Sequence, residues 1–368
     1  MRLFTTKCLT AAVFAACGCA ATQAADVTVY GRVDTGLVYQ NFFGDSTKGD
    51  SFTMESGPNT ASRFGIQGKE VINPDWTVGF RLESRFASDT GELKGDRLFE
   101  GSAYLNIINR TFGELAAGRI AGLASSSGAY DHQFYMDAFA GGTFGSALAP
   151  IKSSRMDNML TYRTPMLGGF QATLQHSLKM STTDTKDLGT EGEAAANRFW
   201  AAGARYTVGG LNIVATYEAT TWGHESLAGA RDDRQVFSLG GNYRTGDIAF
   251  YLQGQIFDGV EKLDGLSASD LHSELSGYGL YAGTQVWFGL SSWQSMVYWR
   301  DYKLKRDTAS ADLDADSLGI ATKYIYRPSK TIEIYVGAGV AKWDRLSTTG
   351  TLLTDKTFNA FTGVTKYF

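Results

Sequence analysis

Residues 247–257 read Asp-Ile-Ala-Phe-Tyr-Leu-Gln-Gly-Gln-Ile-Phe. Ile248, Phe250, Leu252, Gly254 and Ile256 fall on one face of an extended chain, and Asp247, Tyr251, Gln253 and Gln255 on the other. A period of two is that of a β-strand, whose side chains alternate between the faces of a sheet. An apolar face backed by a polar one over about ten residues suits a strand with lipid on one side and water on the other. Trp76–Phe86 repeats the pattern, with Trp76, Val78, Phe80 and Leu82 opposed to Thr77, Arg81, Glu83 and Arg85. So does Thr331–Trp343, where Ile332, Ile334, Val336 and Val340 oppose Glu333 and Tyr335.

Working outward, the alternation predicts sixteen strands, from residues 26–40 to residues 357–368. Every second connection is short, as at Ile72–Asp75, Asn109–Phe112, Pro165–Gly168 and Gly209–Gly210. The others are long and polar, as at Asn41–Thr60 and Gly259–Ser273. An even strand count with short turns at one end and long loops at the other is the layout of an antiparallel transmembrane β-barrel. Closure leaves no sheet edge, so every backbone group in lipid finds a partner. Composition agrees. The 368 residues include 43 Gly, 18 Tyr and 22 Phe but only 5 Pro. No composition shift marks a second domain, so residues 25–368 form a single barrel.

Met1–Ala24 has a basic start, an apolar middle from Leu9 to Ala16 and a small-residue end, which predicts a secretory signal peptide. A lipoprotein signal at Cys17 is the alternative, and Phe14 suits it poorly. Cleavage before Ala25 removes Cys8, Cys17 and Cys19, so no disulfide is expected. It also removes two basic residues and no acid, which takes the net charge from −4 to −6 and argues against nucleic-acid binding. Trp76, Trp200, Trp222, Trp293, Trp343, Tyr324 and Tyr326 lie near strand ends, as an aromatic girdle requires.

Chemistry-bearing motifs are scarce. Asp312, Asp314 and Asp316 imitate the start of a calcium loop but lack its glycine and its final glutamate, and read as a solvated loop. His132, His176, His224 and His272 have no metal spacing. No nucleophile motif or phosphate loop is present, so neither an enzyme nor a cofactor is expected. A barrel protease or lipase and a secreted adhesin are the competing classes.

Alternation also sorts the charges. Arg63 opposes Phe64 and Ile66 and faces inward. Arg81, Glu83 and Arg85 face inward together, as do Arg155, Asp157 and Arg163. Ala121–Ser154 is the longest connection, rich in Gly, Ala and aromatics. Unlike the charged loops elsewhere it offers apolar anchors, Phe134, Phe139 and Phe144, and its acids Asp131 and Asp137 are candidates for a wall opposite the arginines. Arg119, in strict alternation with Leu115 and Ala117, points to lipid unless a bulge at Gly118 turns it. Arg63, Arg81, Arg85 and Arg155 set against Glu83, Asp131, Asp137 and Asp157 make a close balance and imply a mild anion preference.

Several strings carry a resemblance. They are Asp26-Val-Thr-Val-Tyr-Gly-Arg-Val-Asp34, Ser62-Arg-Phe-Gly65 with Gly68-Lys-Glu70, Phe112-Gly-Glu-Leu115 with Gly118-Arg119, and Arg155-Met-Asp-Asn-Met-Leu-Thr-Tyr162 followed by Pro165 and Gly169-Phe170. In this order, and with a last strand ending at Phe368, the chain resembles the trimeric general porins of Gram-negative outer membranes, β-proteobacterial type. The resemblance implies a 16-stranded barrel per subunit, a homotrimer and a third loop that narrows a water-filled pore for small ions and solutes. It implies the outer membrane as location, with lipid and lipopolysaccharide around the barrel. It implies Phe368 as the signal read by the barrel-assembly machinery. Arg63 and Arg155 match positions of the family's basic constriction cluster. A third family arginine has no clean match near Leu98–Glu100, where Arg97 is the nearest candidate.

Overall fold

The computed structural model describes residues 26–46, 48–139, 150–180, 190–193, 195–223, 233–263, 266–267, 274–305, 311–347 and 350–368. The signal segment and Phe144 lie outside these. The described residues are mostly strand. In order come β1 (Asp26–Gly44), β2 (Ser51–Ser56), β3 (Arg63–Asn73), β4 (Trp76–Arg85), β5 (Ser102–Asn109), β6 (Gly113–Ala121), β7 (Arg155–Arg163), β8 (Phe170–Ser177) and β9 (Arg198–Val208). Then follow β10 (Leu211–Thr221), β11 (Arg234–Thr245), β12 (Ile248–Val260), β13 (Lys262–Leu263), β14 (Leu266–Ser267), β15 (Glu274–Phe288), β16 (Ser291–Lys305), β17 (Leu313–Ser329), β18 (Ile332–Leu346) and β19 (Leu352–Tyr367).

Sixteen of these form the wall, each antiparallel to its neighbours, and β19 closes on β1 with Arg32 opposite Tyr367. β2 continues the line of β3 along β1 beyond a break at residues 57–62, and β13 with β14 is a small hairpin in a loop. Residues 51–56, expected in a loop, therefore pair with the wall. The alternation also predicts a strand over 98–108, and β5 begins four residues later, at Ser102. The acidic run at Asp314 and Asp316 is not a loop: it opens β17, where Lys303 and Lys342 pair with the two carboxylates at 3.5 and 2.8 Å.

The expected alternation sets the two faces. Leu252 and Ile256 are each 64% exposed on the outside, while Gln253 and Gln255 are buried within. So many exposed aliphatic side chains on one continuous surface require lipid rather than water as their solvent. Trp76, Trp200, Trp293 and Tyr326 stand on that surface. Trp222 and Trp343 depart from the girdle reading and turn inward, each packed against a core cluster.

The core is where the connection between β6 and β7, loop three, crosses the lumen. Leu123 and Tyr130 pack with Met156, Met159 and Phe199 on one wall. Phe139 packs with Tyr281, Tyr298, Tyr335 and Phe361 on the other. Tyr281 Oη accepts from the Ala138 amide at 2.9 Å, and Asn242 Nδ2 donates to the Tyr135 carbonyl at 2.8 Å. Of the expected anchors, Phe139 is 1% exposed and holds the loop. Phe134 does not: it is 65% exposed and borders open space.

One irregularity decides an orientation. Between β6 and β7 the register slips, so that Arg119 alone stands against Asp157 and Asn158. Gly118 has φ +142°, which a glycine adopts without strain. The bulge turns Arg119 inward, where it is 7% exposed. Met156, expected to face outward, is likewise carried into the core. A Cβ at Gly118 would lie 2.2 Å from the Ala103 carbonyl oxygen. Gly118→Val is therefore expected to cost about 1–3 kcal/mol. The check is the denaturant midpoint for loss of the compact gel form; an unchanged midpoint would show that the bulge tolerates a side chain.

Candidate functional site

The inward side chains of β3 and β4 meet in a fixed order, Arg63 opposite Arg85, Gly65 opposite Glu83 and Gln67 opposite Arg81. Two arginines facing each other across a ladder repel. Glu83 resolves this from the middle. Its Oε1 lies 3.2 Å from Arg63 Nη1 and 3.9 Å from Arg85 Nε, and its Oε2 accepts from Arg81 Nη2 at 2.8 Å. Gly101 leaves room beside the carboxylate, where a Cβ would lie 2.7 Å from Glu83 Oε1, and Gly65 leaves room for the Tyr30 ring.

The ion pairs continue around the wall. Arg85 approaches Glu100 at 3.6 Å, Arg119 approaches Glu100 at 3.8 Å and Asp157 at 2.6 Å, and Arg97 reaches Asp157 at 2.7 Å. Five guanidiniums thus share three carboxylates. Arg155 has no carboxylate partner among the described residues. Its Nη2 donates to Ser127 Oγ at 2.6 Å, and Arg85 Nη2 donates to the same hydroxyl at 2.9 Å. Ser127 thereby ties loop three to the arginine wall.

Above this tie lies an open section of the lumen of about 910 Å³. Arg32, Arg63, Arg85, Lys94, Lys152 and Arg155 line it, with Asp131 as the one carboxylate among the described residues there and Ser125–Ser127 as loop hydroxyls. Asp131 accepts from the amides of Gly128 and Phe134 at 3.1 and 3.2 Å. Burial nonetheless pushes its carboxyl up to about 7.

The eight charged residues singled out from the sequence thus separate. Arg63, Arg85, Arg155 and Asp131 border the open section. Glu83 is 0% exposed and stands behind the arginines. Arg81 points further towards the short turns and donates to Tyr30 Oη at 2.7 Å. Asp157 is engaged by Arg97 and Arg119. Asp137 does not form the opposite wall: it is buried within loop three itself, 3.1 Å from Lys152. Lys94, Lys152 and Glu100 were missed. They lie in connections, where no periodicity assigns a face.

A closed barrel with lipid-facing aliphatics, a loop across its lumen and a charged passage beside the loop defines a pore-forming protein of the outer membrane. A family model described as Gram-negative porin matches residues 9–345. The chain belongs to the Gram-negative porin family, whose members are outer-membrane channels and not enzymes. It is 31% identical over 252 residues to an outer membrane porin protein of Bordetella pertussis, covering 64% of this chain and 65% of the relative. It is 27% identical over 243 residues to outer membrane porin protein 32 of Delftia acidovorans, covering 64% of each. The chain thus spans just under two thirds of the length of these curated relatives. Among solved structures, an anion-selective porin from Comamonas acidovorans superposes with TM-score 0.69 at 18% identity, over 94% of this chain and 100% of that one. An outer membrane protein of Vibrio cholerae, described as a trimer form, superposes with TM-score 0.62 at 13% identity, over 94% and 100%.

Proposed function

We propose that the protein is a passive, water-filled channel for small hydrophilic solutes and ions, with an anion preference larger than an even balance of arginines and acids implies. The carrying observation is the lining of the open section, six cationic side chains against one carboxylate among the described residues. Glu83, Asp137 and Asp157 are held in ion pairs away from that surface, so they reduce the positive potential without reversing it. The mechanism needs no catalysis: low-dielectric walls focus the field where the loop narrows the water. The test is the zero-current potential across a KCl gradient in a planar bilayer, and a cation-selective potential would refute the sign.

Asp131 gives the preference a pH dependence. Its carboxylate is ionised above about 7 and neutral below. Acidification from pH 8 to 6 removes the one negative charge among the described residues bordering the open section, so the anion preference is expected to rise. His132, beneath it, is held down at about 4 by burial and by Arg205 and Arg163, and stays neutral over this range. In Asp131→Asn the preference is expected to sit at its acid value and not titrate. An Asn variant that titrates like the parent would exclude Asp131 as the group.

The assembly is proposed as a homotrimer, in keeping with the trimer form of the Vibrio cholerae neighbour. Outer-membrane lipid and lipopolysaccharide surround it. Phe368, whose amide and carbonyl exchange 3.0 Å bonds with Gly31 and whose ring is exposed, is proposed as the signal for the barrel-assembly machinery. Phe368→Ala is expected to lower the amount reaching the outer membrane more than it lowers the denaturant midpoint of the protein that does. Equal outer-membrane levels on membrane fractionation would exclude that role.

A further inference from the structure

A second chamber lies on the short-turn side of loop three and measures about 280 Å³. Loop three supplies one side of it, and β7, β8 and β9 supply Arg163, Gln171, Thr173 and Arg205. The two guanidiniums differ. Arg163 is neutralised by Glu114, with Nη2 2.5 Å from Oε2. Arg205 has no carboxylate partner among the described residues. It lies 4.4 Å over the Tyr135 ring, donates Nη1 to that residue's hydroxyl and donates Nη2 to Gln171 Oε1 at 3.2 Å.

Two buried nitrogens at this chamber, Arg205 Nε and His132 Nδ1, have no hydrogen-bond partner among the described residues. His132 Nε2 stands 3.4 Å from the Thr173 hydroxyl. When Nε2 accepts from that hydroxyl, the neutral ring presents Nδ1–H as a donor. Asp131, shared with the passage above, has its oxygens engaged by backbone amides. The chamber therefore presents a guanidinium that no carboxylate contacts among the described residues, and donors without acceptors. Buried donors left unsatisfied destabilise the fold, and a ligand rich in acceptor oxygens relieves that.

We infer that this chamber is a binding station for a small oxyanion, a phosphate or carboxylate group, held by the Arg205 guanidinium with His132 and Arg163 beside it. A guanidinium presents paired N–H donors at the spacing of two oxygens on such a group. The volume admits a phosphate-sized ion with several waters, each occupying about 30 Å³. An anion that has crossed the passage thus meets a second site before leaving by the short-turn side. The inference rests on the channel reading.

The experiment measures chloride current through the full-length protein in a planar bilayer, with inorganic phosphate titrated into each side in turn. Block is read as a fraction of each protein's own phosphate-free current. A saturable block is expected, at lower concentration from the short-turn side. Arg205→Gln is expected to raise the half-blocking concentration about tenfold, and Arg205→Lys by less. Arg244→Gln removes the same charge at the short-turn rim, where Arg244 stacks on Trp287, and is expected to leave it unchanged. If Arg205→Gln gives no compact heat-modifiable band, Thr173→Val carries the test, with an expected rise of about threefold. A block that declines linearly, or a half-blocking concentration that Arg205→Gln and Thr173→Val leave alone, overturns the station. A wild-type barrel that passes no chloride overturns the channel reading, and the station with it.

Discussion

Arg155→Glu is expected to move the anion-to-cation permeability ratio by about tenfold, and Arg155→Glu with Arg63→Glu to reverse the selectivity. A unit charge acts on an ion about 4 Å away with about 1 kcal/mol in water and about 4 kcal/mol near a protein wall. Charge reversal changes the wall by two units at a site the ion must pass. About 1.4 kcal/mol already corresponds to a factor of ten. Arg155 is the cleaner probe because no carboxylate depends on it: its bonds go to Ser127 and to the Gly101 carbonyl. The measurement is the zero-current potential in a KCl gradient. The shift should shrink in concentrated salt, since the screening length falls from about 10 Å at 0.1 M to about 3 Å at 1 M. A double variant that keeps the wild-type potential would place the selective region elsewhere along the lumen.

Glu83→Ala is expected to have the largest effect on stability, about 3–5 kcal/mol. Its carboxylate is buried and accepts from Arg63 and Arg81 while standing beside Arg85. Removing it leaves three guanidiniums packed together with Glu100 as their nearest remaining acid, beside Arg85. Glu83→Gln keeps the shape and one acceptor, so its loss should be smaller. Both variants should also become more anion-selective, because the wall gains a unit of positive charge. The denaturant midpoint of the heat-modifiable form reports the first effect and the bilayer potential the second. A stable Glu83→Ala barrel would mean that the arginines separate into water at little cost.

The wall was legible in the sequence because lipid and water impose opposite demands on neighbouring residues. A strand such as Ile248–Val260 cannot meet both without strict alternation. The inward facing of Arg63, Glu83 and Arg85 followed from the same rule. The rule fails where the ladder slips. Arg119 faces the lumen only because one residue on β6 spans two on β7, and Gly118 hinted at this without settling it. Asp137 shows a second limit. Its charge suggested a place on the passage, but its partner Lys152 lies fifteen residues away in a connection with no period to read. Trp222 and Trp343 show a third: position near a strand end does not fix which side a ring takes when a loop core competes with the membrane interface.

The seam between β1 and β19 bears on how the protein is made. It joins Arg32 to Tyr367 and Gly44 to Asp355, partners more than three hundred residues apart. Contacts of such separation form late, after the entropy of the intervening chain has been lost. Until they form, β1 and β19 each present an unpaired edge, and the sheet is an open ribbon prone to join others like itself. A ribosome releases the first of these strands long before the last. Biogenesis of this barrel is therefore a problem of postponement, in which the export route must keep the early strands from pairing until the closing strand arrives.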